Sequence, residues 1–414
     1  MLPIRIGLDF GSAYSKAAVS LLGQVRFVSW EGLLDGELPL YFPDELTELS
    51  GDRVRPGAMR YGGPVRSELK LPLLRKDAPA DPDADARVAI FLAWAFRYIR
   101  AWVWESCADL VRDRRVAWTV NLGCPANSWS SQTLLQHYEH LARAAWRLSL
   151  QPGEIGYGAA RQLIAARGEQ AMSDLDELRI VPEFIAEIAG YVFSPQRADG
   201  PHLLIDVGAG TVDMACFNVY EHQGENVFPI FSSAVEFLGT HHLMMERLKA
   251  AGKARERWDD TSAVPTADAL AIELGVPGNS IAAADQAFTT TMAARIVKVM
   301  TDARLHWPHA QAWRQGVPTF LLGGGAECEV YRAALERAST QLKCPLPLLS
   351  RGYLTGLAGR QALGQSPALR LAVAHGLTYD SESLGRVRST QDIPRIAATT
   401  NSRQRPDRDE LYPK

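Results

Sequence analysis

The chain has 414 residues, more than one compact core accommodates, which predicts two domains. Hydrophobic residues at 47% against 22% charged exclude a disordered chain. A net charge of -3 with a pI near 6.3 gives none of the basic footprint that a nucleic-acid partner leaves. The five cysteines, Cys107, Cys124, Cys216, Cys328 and Cys344, make no C-x-x-C pair and have no histidine at zinc spacing. They predict reduced thiols and a cytoplasmic setting.

Met1 to Asp9 reads as a strand rather than a leader, because no long apolar run follows a charged start. Ile4–Leu8 predicts a strand that ends at Asp9-Phe10-Gly11-Ser12, and apolar residues resume from Ala17 to Leu22 and again from Gln24 to Trp30. Gly32–Pro82 is rich in Gly, Pro and charge and predicts loops with short strands. A long helix is predicted over Asp83–Asp113. Its apolar part, Val88–Trp104, is interrupted by Arg97 and Arg100 and falls short of the ~20 residues of a membrane helix. A strand follows at Val116–Leu122, then a helix at Ser130–Leu148 opened by a Ser cap.

Arg179–Pro182 predicts a short strand, and Glu183–Phe193 has helical spacing. Ser194–Pro201 is a polar break and marks a domain boundary. His202–Val207 and Asp213–Val219 are strands joined by Gly208-Ala209-Gly210-Thr211. The N-terminal arrangement thus recurs, with an apolar strand, an Asp, a glycine turn with a hydroxyl residue and a returning strand, which predicts an internal duplication. Helices are predicted at Gly239–Ala251, Ala283–Trp307, Glu329–Leu342 and Leu369–Leu377, and Trp258–Asn279 is broken by Pro and Gly. Thr319–Leu322 is a strand running into Gly323-Gly324-Gly325, and the polar stretch from Tyr379 onward predicts a flexible or extended tail.

The turns carry the chemistry. Glycine between strands lets backbone approach a ligand closely, and successive N–H groups in such a turn form an anion cradle. Asp9, at a strand end, can hold Mg²⁺ through water. Lys16 can reach phosphates as a point charge. Asp206 ends the second apolar strand in the same way, and Asp213 lies on the returning strand where it can face the same cleft. The triple glycine suits close approach to a base or sugar. Taken singly, each turn also reads as an ordinary hairpin or loop; one chain carrying all of them in this order is harder to assign to coincidence.

The three turns resemble the phosphate-1, phosphate-2 and adenosine motifs of the actin, hexokinase and DnaK superfamily. IGLDFGSAYSKAAV (Ile6–Val19) is similar to the opening of DnaK-type chaperones, and LIDVGAGTVDMA (Leu204–Ala215) to their second motif, with Ala209 in place of a glycine. VPEFIAEIAGY (Val181–Tyr191) resembles the first connecting helix, with Phe184 where that family has proline, and LRLAVAHGL (Leu369–Leu377) the second. The resemblance implies an α/β fold of two domains, duplicated ribonuclease H-like units around a nucleotide cleft. Domain I would span 1–197 and domain II 198–368, with the second connecting helix at 369–378 and the tail at 379–414.

The ligands implied are ATP or ADP with Mg²⁺. Asp9 and Asp206 would hold the metal through waters. Gly11, Ser12, Ala13 and Tyr14 would lie along the phosphates, as would Gly208, Ala209, Gly210 and Thr211, with Gly239 opening the next helix beneath them. Gly323, Gly324 and Gly325 would approach the nucleoside. Glu183 and Asp213 would orient the attacking water, and Thr211 would assist. Lys70 stands where the chaperones carry a catalytic lysine, and Lys16 matches a lysine found in actins. Lys70 also reads as a surface lysine, and Glu183 as a cap of its own helix. Arg255–Asn279 has no match to the chaperone helix that clasps adenine.

The stretch after Leu377, about 37 residues, is too short for the peptide-gripping β-sandwich of those chaperones, so any client would be reached through a partner protein or through the tail. The function expected is a slow ATPase switch whose two domains close on Mg-ATP. The alternatives are an actin-like protein that polymerises, a small-molecule kinase of the same fold, and a form that binds nucleotide without hydrolysing it.

Overall fold

The computed structural model describes residues 1–33, 39–58, 63–70, 73, 82–125, 131–166, 175–253, 263–349, 365–388 and 390–395. Strands β1 (Leu2–Asp9), β2 (Tyr14–Leu21) and β3 (Gln24–Phe27) form a meander. A small sheet of Glu45–Glu48, Val54–Pro56 and Val65–Ser67 follows. Helix α1 (Pro82–Ser106) leads to β4 (Val116–Cys124), α2 (Gln132–Leu150), α3 (Tyr157–Ala165), β5 (Leu175–Pro182) and α4 (Glu183–Val192). Next come β6 (Pro201–Val207), β7 (Val212–Asn218), β8 (Tyr220–His222) and β9 (Glu225–Glu236). Helices α5 (Thr240–Ala250), α6 (Ala267–Leu274) and α7 (Gly278–Arg304) precede β10 (Thr319–Leu322) and α8 (Glu329–Leu342). Helix α9 (Gln365–Gly376) and β11 (Arg386–Arg388) end the described chain.

The fold is mixed α/β. One sheet has the order β3-β2-β1-β4-β5 and the other β8-β9-β7-β6-β10, with β11 paired to β9. In the first, β2 is antiparallel to both β1 and β3, and β1 is parallel to β4. In the second, β7 is antiparallel to both β6 and β9, and β6 is parallel to β10. The registers correspond as well: Asp9 lies opposite Lys16 and Asp206 opposite Asp213. Strand β6 and the second half of β1, Ile6–Asp9, are buried on both faces, which is why they read as near-continuous apolar runs.

Each sheet has its own hydrophobic cluster. The first gathers β1, β4, α1 and α2, including a stack of Trp30 on Phe42 at 4.5 Å and Phe42 on Phe91 at 4.6 Å. Helix α1 is buried all round from Val88 to Phe96 and reaches solvent at Trp104, consistent with a core helix. The second cluster includes α4 as well as α7 and α8. Helix α9 crosses α4 so closely that any side chain at Gly376 would overlap the Ala186 carbonyl oxygen, and a Cβ on Gly7 of β1 would come 2.5 Å from the Ala374 oxygen. A third, small cluster joins Leu371 and Ala374 of α9 to Ala18, Val25 and Phe27.

Several boundaries differ from the sequence expectation. The helix expected over Asp83–Asp113 breaks at Cys107 into α1 and a short turn at Ala108–Val111. The second connecting helix begins at Gln365 rather than 369. The tail is not wholly extended: Ser381–Leu384 is helical, capped by Asp380, and β11 joins the second sheet. Thr390 then donates to the Ile230 carbonyl at 2.9 Å, and His306 Nδ1 to that of Ile393 at 3.0 Å. Residues 389 and 396–414 of that expectation lie outside the described residues, as do 258–262 of the broken stretch. Within the rest of that stretch α6 forms, capped by Thr266 and stopped by left-handed Gly275. No described helix is long and apolar enough to cross a membrane, and all five cysteines are free.

Candidate functional site

The loops at one end of the two sheets line a cleft of about 880 Å³, counted out to open solvent. Gly11, Ser12, Ala13 and Tyr14 reach it from the first turn, Gly208, Ala209 and Thr211 from the second, and Gly323 and Gly324 from the third. Asp9, Lys16, Lys70, Glu183, Asp206 and Asp213 line it too.

The turns are locked by backbone constraints. Gly323 has φ of 81°, and a Cβ there would overlap Asp206 Oδ1, so the position needs glycine on two counts. The Gly325 N–H donates to the Val207 carbonyl at 3.0 Å, which ties the third turn to the second. The N-terminus of α5 packs under the second turn, where Thr240 donates to Gly208 and His241 to Ala209. Gly210, Gly239 and Gly325, all expected to touch ligand, do not line the cleft. Gly239 and Gly325 act as spacers behind it, and Gly210 faces Ser12. Thr240 lines the cleft instead of Gly239.

Lys70 is buried rather than on the surface. Its Nζ donates to Glu183 Oε1 at 2.7 Å, so Glu183 engages a lysine and does not cap its helix. Burial, the largest single influence, lowers the Lys70 pKa, but Glu183, Tyr138 and Asp9 together outweigh it and hold the lysine charged. Asp44 Oδ2 accepts the Leu69 N–H at 2.8 Å and so fixes the segment that delivers Lys70. Lys16 Nζ donates to Asp9 Oδ2 at 2.9 Å. The sequence left open which lysine serves the cleft; both enter it, each paired with a carboxylate.

Carboxylates outnumber cations. Asp9, Glu183, Glu187, Asp206 and Asp213 face Lys16, Lys70 and Arg370. Burial, then the Glu183 charge, pushes Asp206 to about 7, and the same causes push Asp213 to about 8. Carboxyls in this state favour a cation among them. Among the described residues no three His, Cys, Asp or Glu converge as direct metal ligands. Asp9 and Asp206 bring hard carboxylate oxygens to the cleft.

A comparison with protein-family models found no match, and a comparison with curated proteins found none either. The site therefore rests on its own geometry.

Sequence reasoning missed several lining residues. Tyr41 and Arg370 stand together at the cleft, with the guanidinium 5.9 Å from the ring centre, and Tyr14 meets Tyr41 edge-on. Neither is signalled locally, because one precedes a two-residue strand and the other lies on a distant helix. Glu187 was visible: it lies one turn after Glu183 on an otherwise apolar helix.

Proposed function

We propose that this chain is an ATPase of the actin-like superfamily, nearest the nucleotide-binding half of DnaK-type chaperones, built of two domains that close on Mg-ATP and so control a partner protein. The observation that carries the reading is the meeting of three glycine turns, contributed by two sheets of matching strand order, around one cleft lined by buried Asp9 and half-buried Asp206. The Lys70–Glu183 pair supports it further, since the resemblance brings together these two residues from opposite ends of the first half.

In this reading the backbone of the first two turns cradles the phosphates. Mg²⁺, when bound, would neutralise phosphate charge. Lys70, held by Glu183 and Asp44, presents its ammonium to the phosphates, and Asp213, hydrogen-bonded by Thr211 at 3.3 Å, faces the water. Positioning and charge supply most of the catalysis in phosphoryl transfer. Helices α4 and α9, crossing between the two sheets, serve as the hinge.

Phosphate release from ATP without any acceptor tests the reading against a small-molecule kinase. Asp206→Ala is expected to abolish release and Thr211→Ala to slow it; native turnover in the Asp206 variant would show the site misplaced. Lys16 beside Asp9 favours a second reading, an actin-like filament former, since actins carry a lysine at this offset. Pelleting with Mg-ATP over a wide concentration range checks it, and a wholly soluble protein excludes it.

A further inference from the structure

Helix α4 is buried along its whole length, and its side chains are apolar apart from Glu183, Glu187 and the Tyr191 hydroxyl. Glu183 and Tyr191 have hydrogen-bond partners. Glu187 is only 7% exposed, and neither carboxyl oxygen has a partner. An unpartnered buried carboxyl costs free energy that packing positions do not tolerate and ligand sites do.

Glu187 also borders two spaces at once. One is the large cleft. The other is a small cavity between α4 and the β6–β7 hairpin, with about 10 Å³ for the centre of a water molecule, which is the room one water needs. That cavity has an apolar floor of Leu204, Met214 and Ala215, and its polar wall is Glu183, Glu187, Asp206 and Asp213. Of these, Glu183 is committed to Lys70, and Asp213 keeps one oxygen without a partner.

We propose that Glu187, and not Glu183, is the carboxylate that takes the proton of the attacking water, with Asp213 sharing that water. This rests on the ATPase reading and departs from the roles that the family resemblance implies. In the step, the water oxygen bonds to the γ-phosphorus while the bond from that phosphorus to the β–γ bridging oxygen breaks. ADP leaves with the electron pair of the broken bond. The water proton passes to Glu187 in its ionised form, which burial and then Asp206 disfavour by raising its pKa well above the ordinary carboxylate range, and from there to solvent. Glu183 is a positioning residue that keeps Lys70 in the cleft. The charged groups around Glu187 are Asp9 on β1, Glu183 on its own helix, Asp206 on β6 and Asp213 on β7, with Lys16, Lys70 and Arg370 opposite.

Nucleotide affinity and single-turnover hydrolysis of prebound Mg-ATP, measured separately on the full chain, test the proposal. Glu187→Gln is expected to keep affinity within about threefold and to slow hydrolysis by about 100-fold, the size of a general-base contribution. Glu187→Ala is expected to be equally slow and to regain rate with added formate, whereas formate leaves Glu183→Ala unchanged; a purely structural glutamate would show no rescue. Hydrolysis at the native rate in Glu187→Gln or Glu187→Ala, with the native chain active, overturns the proposal and leaves the ATPase reading standing. A native chain that fails to bind Mg-ATP overturns both.

Discussion

At the scale of single residues, burial decides which groups titrate and which act. His202, in β6, is buried; its Nδ1 donates to the Gly200 carbonyl at 2.8 Å and its Nε2 accepts from the Tyr191 hydroxyl at 2.8 Å. Both contacts suit the neutral ring, and burial holds its pKa down to about 4, against 6.5 for a free histidine. The unfolded chain therefore binds this proton first. The stability from His202 is full above pH 6.5 and is lost as pH falls through 4, amounting to about 3 kcal/mol. Urea midpoints at pH 7 and pH 4 should differ less in His202→Gln than in the native chain; equal differences would clear this ring of the effect. The acidic residues of the turns were legible because an Asp ends an apolar strand before a glycine turn twice in one chain, once in each half. The burial of Lys70 was not legible, since it depends on Asp44 and Glu183 meeting it from distant elements.

Among the elements, the crossing of α4 and α9 is the tightest joint. Gly376 lies against the Ala186 carbonyl with no room for a Cβ. Gly376→Ala must push the helices apart and is expected to cost about 2 kcal/mol or more, as overpacking does. It should also slow hydrolysis, because α4 carries Glu183 and Glu187. An unchanged melting temperature would refute the tight crossing. Strands ending at the turns were readable from apolar runs and glycine. Strand β9 was missed because it mixes apolar residues with Glu225, Asn226, Pro229, Ser232 and Ser233 and has no clean alternation. Helix α6 was missed because Pro265 and Gly275 sit so close that they read as one broken stretch rather than as its two ends. The flexible or extended tail expected from the sequence omits the pairing of β11 with β9, because polar composition says nothing of the strand that receives it.

Across the whole molecule, charge at the cleft sets the ligand response. Five carboxylates face three cations there, so under the proposed function ATP alone would meet repulsion that Mg²⁺ would relieve. Mg-ATP at 100 times its Kd should stabilise the chain by about 2.7 kcal/mol. ATP with a chelator should give a much smaller shift in melting temperature, and equal shifts would remove the metal from the reading. The contact of α9 with β1, β2 and β3 reaches beyond the folded state. Ala18, Val25 and Phe27 belong to the first strands synthesised, yet Leu371 and Ala374, which cover them, come near the far end of the chain. At ordinary elongation rates of 5–20 residues per second, the N-terminal sheet would wait roughly 20–70 s with that face open. A nascent chain halted before residue 365 would thus display a bare apolar strand surface that nothing in its own sequence can yet close.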